Sequence, residues 1–255
     1  MAVHPTAIVS PRADLASTAE VGPFCVVGDD VVLSEGCHLL AHAVVLGPTR
    51  LGQGNRVFPF ATLGAAPQDL SYRGEPTLLE VGNGNEFREG VTVHRGTVKG
   101  GGTTRLGSHS LFMTGSHVAH DCVVGSRVVL TNLATLGGHV TVADSAVLGG
   151  HVAVAPFVRV GRGAFIAGGA RVERDVPPFM IAAGDRARIR APNRVGQRRL
   201  GVPEDSRRAL KAAFRLLWGR RGSFGALVEL EARLGQDIWV AELIDFLRTG
   251  VHQRP

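Results

Sequence analysis

Stepping through the chain by six from Val3 meets only Val or Leu for eleven consecutive positions, through Val9 and Leu15 to Leu63. A second run reads Val81, Phe87, Val93, and a third passes from Leu106 to Val172 through twelve positions, all apolar. A period of six is neither the 3.6 of an α-helix nor the 2 of a half-buried strand. It fits a short flat strand followed by a turn, with one bulky side chain per repeat aimed inward and three hexads closing one triangular coil. Coils stack through strand pairing at about 4.8 Å, so the twenty-six hexads make eight to nine coils and a prism about 40 Å long. The next residue is often glycine, as at Gly22, Gly28, Gly125 and Gly149, which reads as relief at turns whose backbone angles a Cβ would oppose.

The pattern resembles the left-handed parallel β-helix of hexapeptide-repeat transferases. Its handedness, contrary to the usual right-handed crossover, is implied by that resemblance alone. Residues 64–80 and 99–105 break the register and read as loops ejected from the prism, where ligand contacts usually sit. The glycine run 100–102 lacks the strand–helix context of a phosphate cradle and reads as a flexible turn. Beyond "RDVPPF" the period stops, and Pro177 and Pro178, lacking an N–H, are expected to end strand pairing. From about Pro203, the spacing of Leu210, Ala213, Phe214 and Leu217 predicts a helix, and "SFGALVELEARLG" and "WVAELIDFLRTG" predict two more. The expected class is mainly β: a β-helix domain over residues 1–180, then an α-helical domain over 181–255 that protects the pairing edge.

The three cysteines, Cys25, Cys37 and Cys122, form no close pair, which argues against a disulfide framework and points to a reducing cytoplasm. The segment "MAVHPTAIVSP" has neither the basic nor the apolar region of a signal peptide, and no apolar run approaches the roughly 20 residues of a membrane span. The formal charge of +6 is concentrated, because residues 185–221 hold twelve Lys or Arg against three acids. That block has no zinc-finger or RNP-like motif and only Phe214 and Trp218 as aromatics, so nucleic acid is not the expected partner. A solvated helix face, or a surface for an acidic protein or a phosphorylated ligand, fits it.

The stretch "GSHVAHDCVVG" places His117 and His120 three apart with Asp121 next, and His139 follows His120 by one coil plus one residue. These histidines are expected to gather around one corner of the prism. Three readings stay open on the residues alone. A converging triad would hold a metal, although the gamma-type carbonic anhydrases, which bind zinc on this fold, space their histidine pair more widely than HxxH. Satisfied polar side chains in a loop-rich solenoid would also fit. In the third reading His120 is a general base oriented by Asp121, titrating near neutrality as abstraction of a hydroxyl proton requires. No serine or cysteine nucleophile stands nearby in a recognisable motif, so direct attack by an acceptor hydroxyl is the simpler scheme.

Several motifs reach beyond the fold: "VHPTAIV" at 3, "GPFCVVG" at 22, "QDLSYRGEPT" at 68, "VTVHRGTVKGGG" at 91, "HVAHDC" at 117, "ATLGGHV" at 134 and "DVPPF" at 175. On these the chain resembles, over nearly its whole length, the acyl-carrier-protein-dependent UDP-N-acetylglucosamine O-acyltransferases that begin lipid A synthesis. The resemblance implies a cytoplasmic homotrimer without a metal or other cofactor, whose co-substrate is an acyl carrier protein thioester and whose acceptor is a UDP-sugar. It implies that His120 takes the proton from the glucosamine 3-hydroxyl, that Asp121 supports it, and that the Gly138 N–H meets the oxyanion. Asp69, His117 and His139 match acceptor-binding positions, Asn193 and Arg199 match positions near the nucleotide or carrier, and His94 matches a structural one. Gly168 matches the place where a side chain would limit acyl length; each methylene buried there is worth about 0.8 kcal/mol.

The match departs from the family in four places. Ser71 stands where a lysine helps hold the acceptor's phosphates, with Arg73 the nearest substitute. Ala155-Pro156-Phe157 replaces "HQF", Val195 replaces a glutamate, and Leu200 replaces the second arginine of an "RRG" run. The residues that carry chemistry are kept and those that carry recognition are altered. The alternatives are therefore the same chemistry on another UDP-sugar or on an amine, or a non-catalytic homologue that binds acyl carrier protein.

Overall fold

The computed structural model describes residues 2–219 and 225–250. Among these, strands form three sheets of 11, 9 and 8 members, parallel except for the last strand of the first, with each coil giving one strand to each sheet. The first face runs from Ala2–Val3 to Arg188–Pro192, the second from Ile8–Val9 to Arg171–Val172, and the third from Asp14–Leu15 to Arg159–Val160. Registers step by one coil, as in Val27↔Val45 and Val118↔Leu136. All twenty-six hexad positions fall in these strands. From Val21 onward every one is buried, while Val3 is 38% exposed because the first coil has no coil beneath it.

A second inward position, two residues earlier, is buried as well and is often small, as at Ala19, Cys25, Cys37, Ala43, Cys122, Ala134 and Ala146, with valine at Val128, Val140 and Val152. The cysteines are small core residues and stay free. The turn itself is made one residue earlier still, in left-handed backbone adopted by Phe24, His42, Asp121, His139 and Phe157 as well as by glycines. The glycines after the hexad position do a different job from the one expected. Gly22 and Gly149 have no positive φ, and a Cβ on them would come 2.9 Å from Leu39 O and 2.5 Å from Gly168 N. They permit close stacking of coils rather than unusual angles.

The first ejected loop is shorter than the broken periodicity suggested, and the second starts and ends earlier, over residues 95–102. Strands Thr62–Ala65 and Leu78–Val81 leave residues 66–77 outside, and strands Thr92–His94 and Thr103–Leu106 leave a second excursion containing a 3₁₀ turn at Val98–Gly100. Pairing also runs past Pro177 and Pro178. Met180–Ala183 rejoins the first face against Phe165–Ile166, then turns back on itself to pair antiparallel with Arg188–Pro192. The prolines sit in the turn before that strand, where no ladder N–H is needed, and residue 180 falls inside the strand.

Helices α1 (Arg194–Arg199), α2 (Glu204–Trp218), α3 (Ala226–Leu234) and α4 (Ile238–Thr249) follow. The short, basic α1 lacks an apolar stripe and gave no periodic signal. Phe179 and Met180 join Leu210, Leu230, Val240 and Leu243 in a second core over the last coil. Arg159 fastens α4 to the prism through Asp175 (3.0 Å), Thr249 Oγ1 (2.8 Å) and Phe246 O (2.8 Å). Arg220 and Arg221 of the basic block lie outside the described residues.

Leu130 is fully buried in a layer shared by three stacked strands. Leu130→Ala is expected to cost about 2–5 kcal/mol, read as a lower midpoint in chemical denaturation, whereas Arg50→Ala on the outer surface should stay within about 0.5 kcal/mol.

Candidate active site

The corner joining the second and third faces stacks Asp121, His139 and Phe157 in one column, all at positive φ. Its backbone is tied by His139 N–H to His120 O (3.0 Å) and Phe157 N–H to Gly138 O (3.1 Å). His120 precedes the corner, with Nδ1 2.8 Å from Asp121 Oδ2. The carboxylate is wholly buried, while the His120 side chain keeps 14% of its surface. Thr97 gives Asp121 two more donors, its N–H to Oδ1 at 2.8 Å and its hydroxyl to Oδ2 at 2.7 Å. The Asp121 N–H reaches Thr104 Oγ1 at 2.8 Å. With the carboxylate placed as an acceptor, Nδ1 is the protonated ring nitrogen of neutral His120 and Nε2 keeps its lone pair.

His139 meets the His120 ring edge-on at 5.2 Å and stacks on Phe157 with ring centroids 4.5 Å apart. Gly138 lies against the His120 ring, where a Cβ would come 2.6 Å from Cε1. Its N–H donates to no acceptor among the described residues. His120, Asp121 and His139 offer atoms within 4.8 Å of one another, the donor set a metal would need. The hydrogen bonds favour acid–base work instead. Thr97 and His120 already occupy the carboxylate, and the His120 nitrogen facing it carries a proton.

His117 stands back from this corner on the second face, with Nδ1 2.7 Å from Thr92 Oγ1 and its ring edge-on to His94 at 5.3 Å. Burial, then the neighbouring His94 and His120, push the His117 imidazole down to about 4. Burial lowers His94 as well. His94 Nδ1 lies 2.6 Å from Ala66 O and ties down the start of the 66–77 loop.

That loop carries Asp69. Hydrogen bonds from Ser71 N–H and hydroxyl, then the positive charge of Lys99, hold its carboxyl below the usual range. Ser71 is used in holding Asp69, its N–H 2.7 Å from Oδ1. Arg73 folds back onto its own loop, donating to Leu70 O (2.7 Å) and Tyr72 O (3.1 Å). Arg95 anchors the loop from beneath through Gly64 O (2.7 Å) and Tyr72 Oη (3.0 Å).

Asn193 and Arg199 lie elsewhere. The Asn193 side chain caps α1 by accepting from Gly196 N (3.0 Å) and donates to Gly163 O (2.9 Å). With Val195 and Arg199 it walls a groove of about 620 Å³ floored by Val129, Val147, Phe165 and Ile181 of the first face. In a triangular section that face is opposite the His120 corner, so one chain does not bring these two residues to His120. Gly168 occupies the turn between the first and second faces, where a Cβ would come 3.2 Å from Gly150 O. Sequence reasoning missed Thr97 and Thr104. Thr97 precedes Asp121 by 24 residues, off the coil step, because the excursion intervenes.

Residues 175–254 match the family model described as "Udp N-acetylglucosamine O-acyltransferase; Domain 2". An acyl-[acyl-carrier-protein]–UDP-N-acetylglucosamine O-acyltransferase of Anaeromyxobacter sp. (strain Fw109-5) is 46% identical over 249 residues, 97% of each chain. The protein of that name from Thermodesulfovibrio yellowstonii is 41% identical over 97% of this chain and 96% of its own. The chain belongs to the UDP-N-acetylglucosamine O-acyltransferase family. The crystal structure of the Moraxella catarrhalis UDP-N-acetylglucosamine O-acyltransferase superposes with a TM-score of 0.94 at 36% identity, covering 100% of this chain and 99% of that one. The Acinetobacter baumannii structure matches at 0.93 and 36% identity, covering 97% and 96%. The fold is the left-handed parallel β-helix of this O-acyltransferase family, with its helical C-terminal part.

In the unfolded chain His117 takes up a proton near pH 6.5, whereas in the folded O-acyltransferase it does so only near 4. Between those values the unfolded state binds more protons, so this contribution is intact above pH 6.5 and is lost as pH falls towards about 4. Denaturation midpoints measured from pH 4 to 8 are expected to fall below pH 6.5, and His117→Asn is expected to flatten that slope.

Proposed function

We propose that this chain moves an acyl group from the thioester of acyl carrier protein to the 3-hydroxyl of UDP-N-acetylglucosamine, at the start of lipid A synthesis, with His120 as general base. The observation that carries this reading is the hydrogen bond from His120 Nδ1–H to the buried Asp121, which leaves Nε2 as the proton acceptor at the surface. The acceptor oxygen attacks the thioester carbonyl carbon as its proton passes to Nε2. The Gly138 N–H, free of other partners among the described residues, meets the developing oxyanion. The C–S bond then breaks and the thiolate takes the proton back from the imidazolium. Atoms and charge balance without a metal or a cofactor.

Asp69, His117 and His139 are read as acceptor-binding residues, and Asn193 and Arg199 as contacts to the nucleotide or carrier. Because that groove and the His120 corner are on opposite sides of one chain, a site using both is completed by a neighbouring copy, which supports the homotrimer. Gly168 is read as leaving room for a long acyl chain. The basic residues of strand Arg188–Pro192, α1 and α2 suit an acidic carrier protein, with binding that weakens as salt rises. Free buried cysteines suit a cytoplasmic setting, and no helix among the described residues is long and apolar enough to cross a membrane.

A second reading keeps the chemistry and changes the acceptor to another UDP-sugar or an amine. It is favoured by Val195, 59% exposed on the groove wall where the family carries a glutamate, and by Arg73, whose guanidinium is turned into its own loop. Purified protein incubated with 3-hydroxyacyl carrier protein and a panel of UDP-amino sugars, with products followed by mass spectrometry, separates the two. Acylated UDP-N-acetylglucosamine is the expected product, and His120→Ala is expected to lower kcat about 10²–10⁴-fold. Carrier binding without product from any sugar would make the chain a binder and overturn both readings.

A further inference from the structure

We infer that Thr97, at the base of the second excursion, is a positioning residue for catalysis, and that residues 98–102 form a clamp on Asp121 rather than a flexible turn. The inference rests on the proposed role of His120 as a base. Thr97 is buried, 3% exposed, and reaches both oxygens of the carboxylate at once, from its N–H and from its hydroxyl. A carboxylate held at both oxygens cannot rotate about its Cβ–Cγ bond without breaking one of those bonds. Oδ2 is thereby kept where His120 Nδ1–H finds it.

The hydroxyl's own orientation is settled by the excursion. Gly100 N–H approaches Thr97 Oγ1 at 3.2 Å as a donor, so the single hydroxyl proton is directed at Asp121. The excursion closes on Thr97 in turn, with Gly100 N–H and Gly102 N–H donating to Thr97 O at 3.0 and 2.7 Å. Glycine is needed at 100 for space: its φ is not in the left-handed region, but a Cβ there would overlap the Asp121 carboxylate. The chain leaves the prism, folds a 3₁₀ turn capped by Thr97, and returns at Thr103. The result is a carboxylate sealed from water on the side away from His120, with Thr104 Oγ1 fixing its backbone at 2.8 Å.

The consequence for His120 is the choice of tautomer. With Oδ2 fixed, the proton of the neutral ring resides on Nδ1 and Nε2 is the base. With the carboxylate free to turn, the two tautomers compete and the fraction of ring competent to accept a proton at Nε2 falls. Thr97→Val keeps the N–H and the side-chain volume and removes only the hydroxyl. Thr97→Ser restores the hydroxyl. Gly100→Ala crowds the carboxylate directly and leaves the Thr97 hydroxyl in the sequence.

The test is a comparison of these three variants with the wild type in the acyl-transfer assay, together with ¹⁵N chemical shifts of the His120 ring in the free proteins. Losing a hydrogen bond to a charged group should lower kcat about 10- to 100-fold in Thr97→Val, with KM for both substrates within about twofold. Thr97→Ser should recover to within about threefold of the wild type, and Gly100→Ala should lose kcat as Thr97→Val does. The ring of the wild type should be the Nδ1–H tautomer, and that of Thr97→Val and Gly100→Ala a mixture. An unchanged kcat and tautomer in Thr97→Val, or a loss confined to KM, would overturn the clamp. Should the wild type transfer no acyl group, the ring shifts still decide it: a wild-type Nδ1–H tautomer that becomes mixed in the variants upholds the clamp while the assigned reaction fails.

Discussion

Everything in this molecule depends on the hydrogen-bonded stacking of one coil on the next. Where the register is unbroken, each strand residue pairs with the one eighteen positions later, as Val27 does with Val45 and Leu130 with Leu148. Turn residues repeat with the same step, so a corner is a column of side chains held at one spacing by backbone bonds. Asp121, His139 and Phe157 are such a column. Their mutual distances follow from strand pairing, and no loop has to be ordered to bring His139 to His120. That is why a site assembled from three coils needs so little dedicated structure.

The same rigidity creates a difficulty that the excursions resolve. A corner residue of a bare prism faces solvent, and a carboxylate there would be free to rotate and would be well hydrated. Asp121 is instead wholly buried, because the chain leaves the coil after His94 and folds residues 98–102 over it. The 66–77 loop works from the neighbouring side. It is fastened at its start by His94 and in its middle by Arg95 on Tyr72, and it carries Asp69, held by the Ser71 N–H. The two interruptions of the hexad register are therefore where polar chemistry is attached to an otherwise apolar repeat.

The sequence was informative wherever a side chain's position follows from the repeat. The inward column, the cap helices α2, α3 and α4, and the gathering of His120 and His139 at one corner were all legible from spacing. The glycines after the hexad position were misread, because a pattern of glycines does not distinguish a need for positive φ from a need for space, and only the 2.9 Å approach of Leu39 O at Gly22 separates them. Strand pairing after Pro178 was hidden because proline removes a donor only at its own position, and Met180–Ala183 begins after it. Thr97 was illegible for a related reason. Its partner is set by the length of an irregular excursion, and nothing in a six-residue period encodes where such a loop re-enters.

Arg199 and Asn193 pose a separate geometrical problem. In a triangular prism a face and the corner across from it cannot meet, and the groove on the first face has its apolar floor on Val129, Val147, Phe165 and Ile181 while His120 stands between the other two faces. A ligand that used both the proposed base and this groove would lie between two prisms, with the His120 corner of one set against the first face of the next. An arrangement of that kind uses a different surface on each partner, and such heterologous contacts close only as rings. Rigid, straight prisms packed side by side favour a small ring, since every member must present one corner and one face at a fixed angle. The outward row of the first face is consistent with this division of labour. It is polar at Glu20, His38, Arg56 and Glu86, then apolar from Leu111 through Val129, Val147 and Phe165 to Ile181, alongside the coils that carry the histidines.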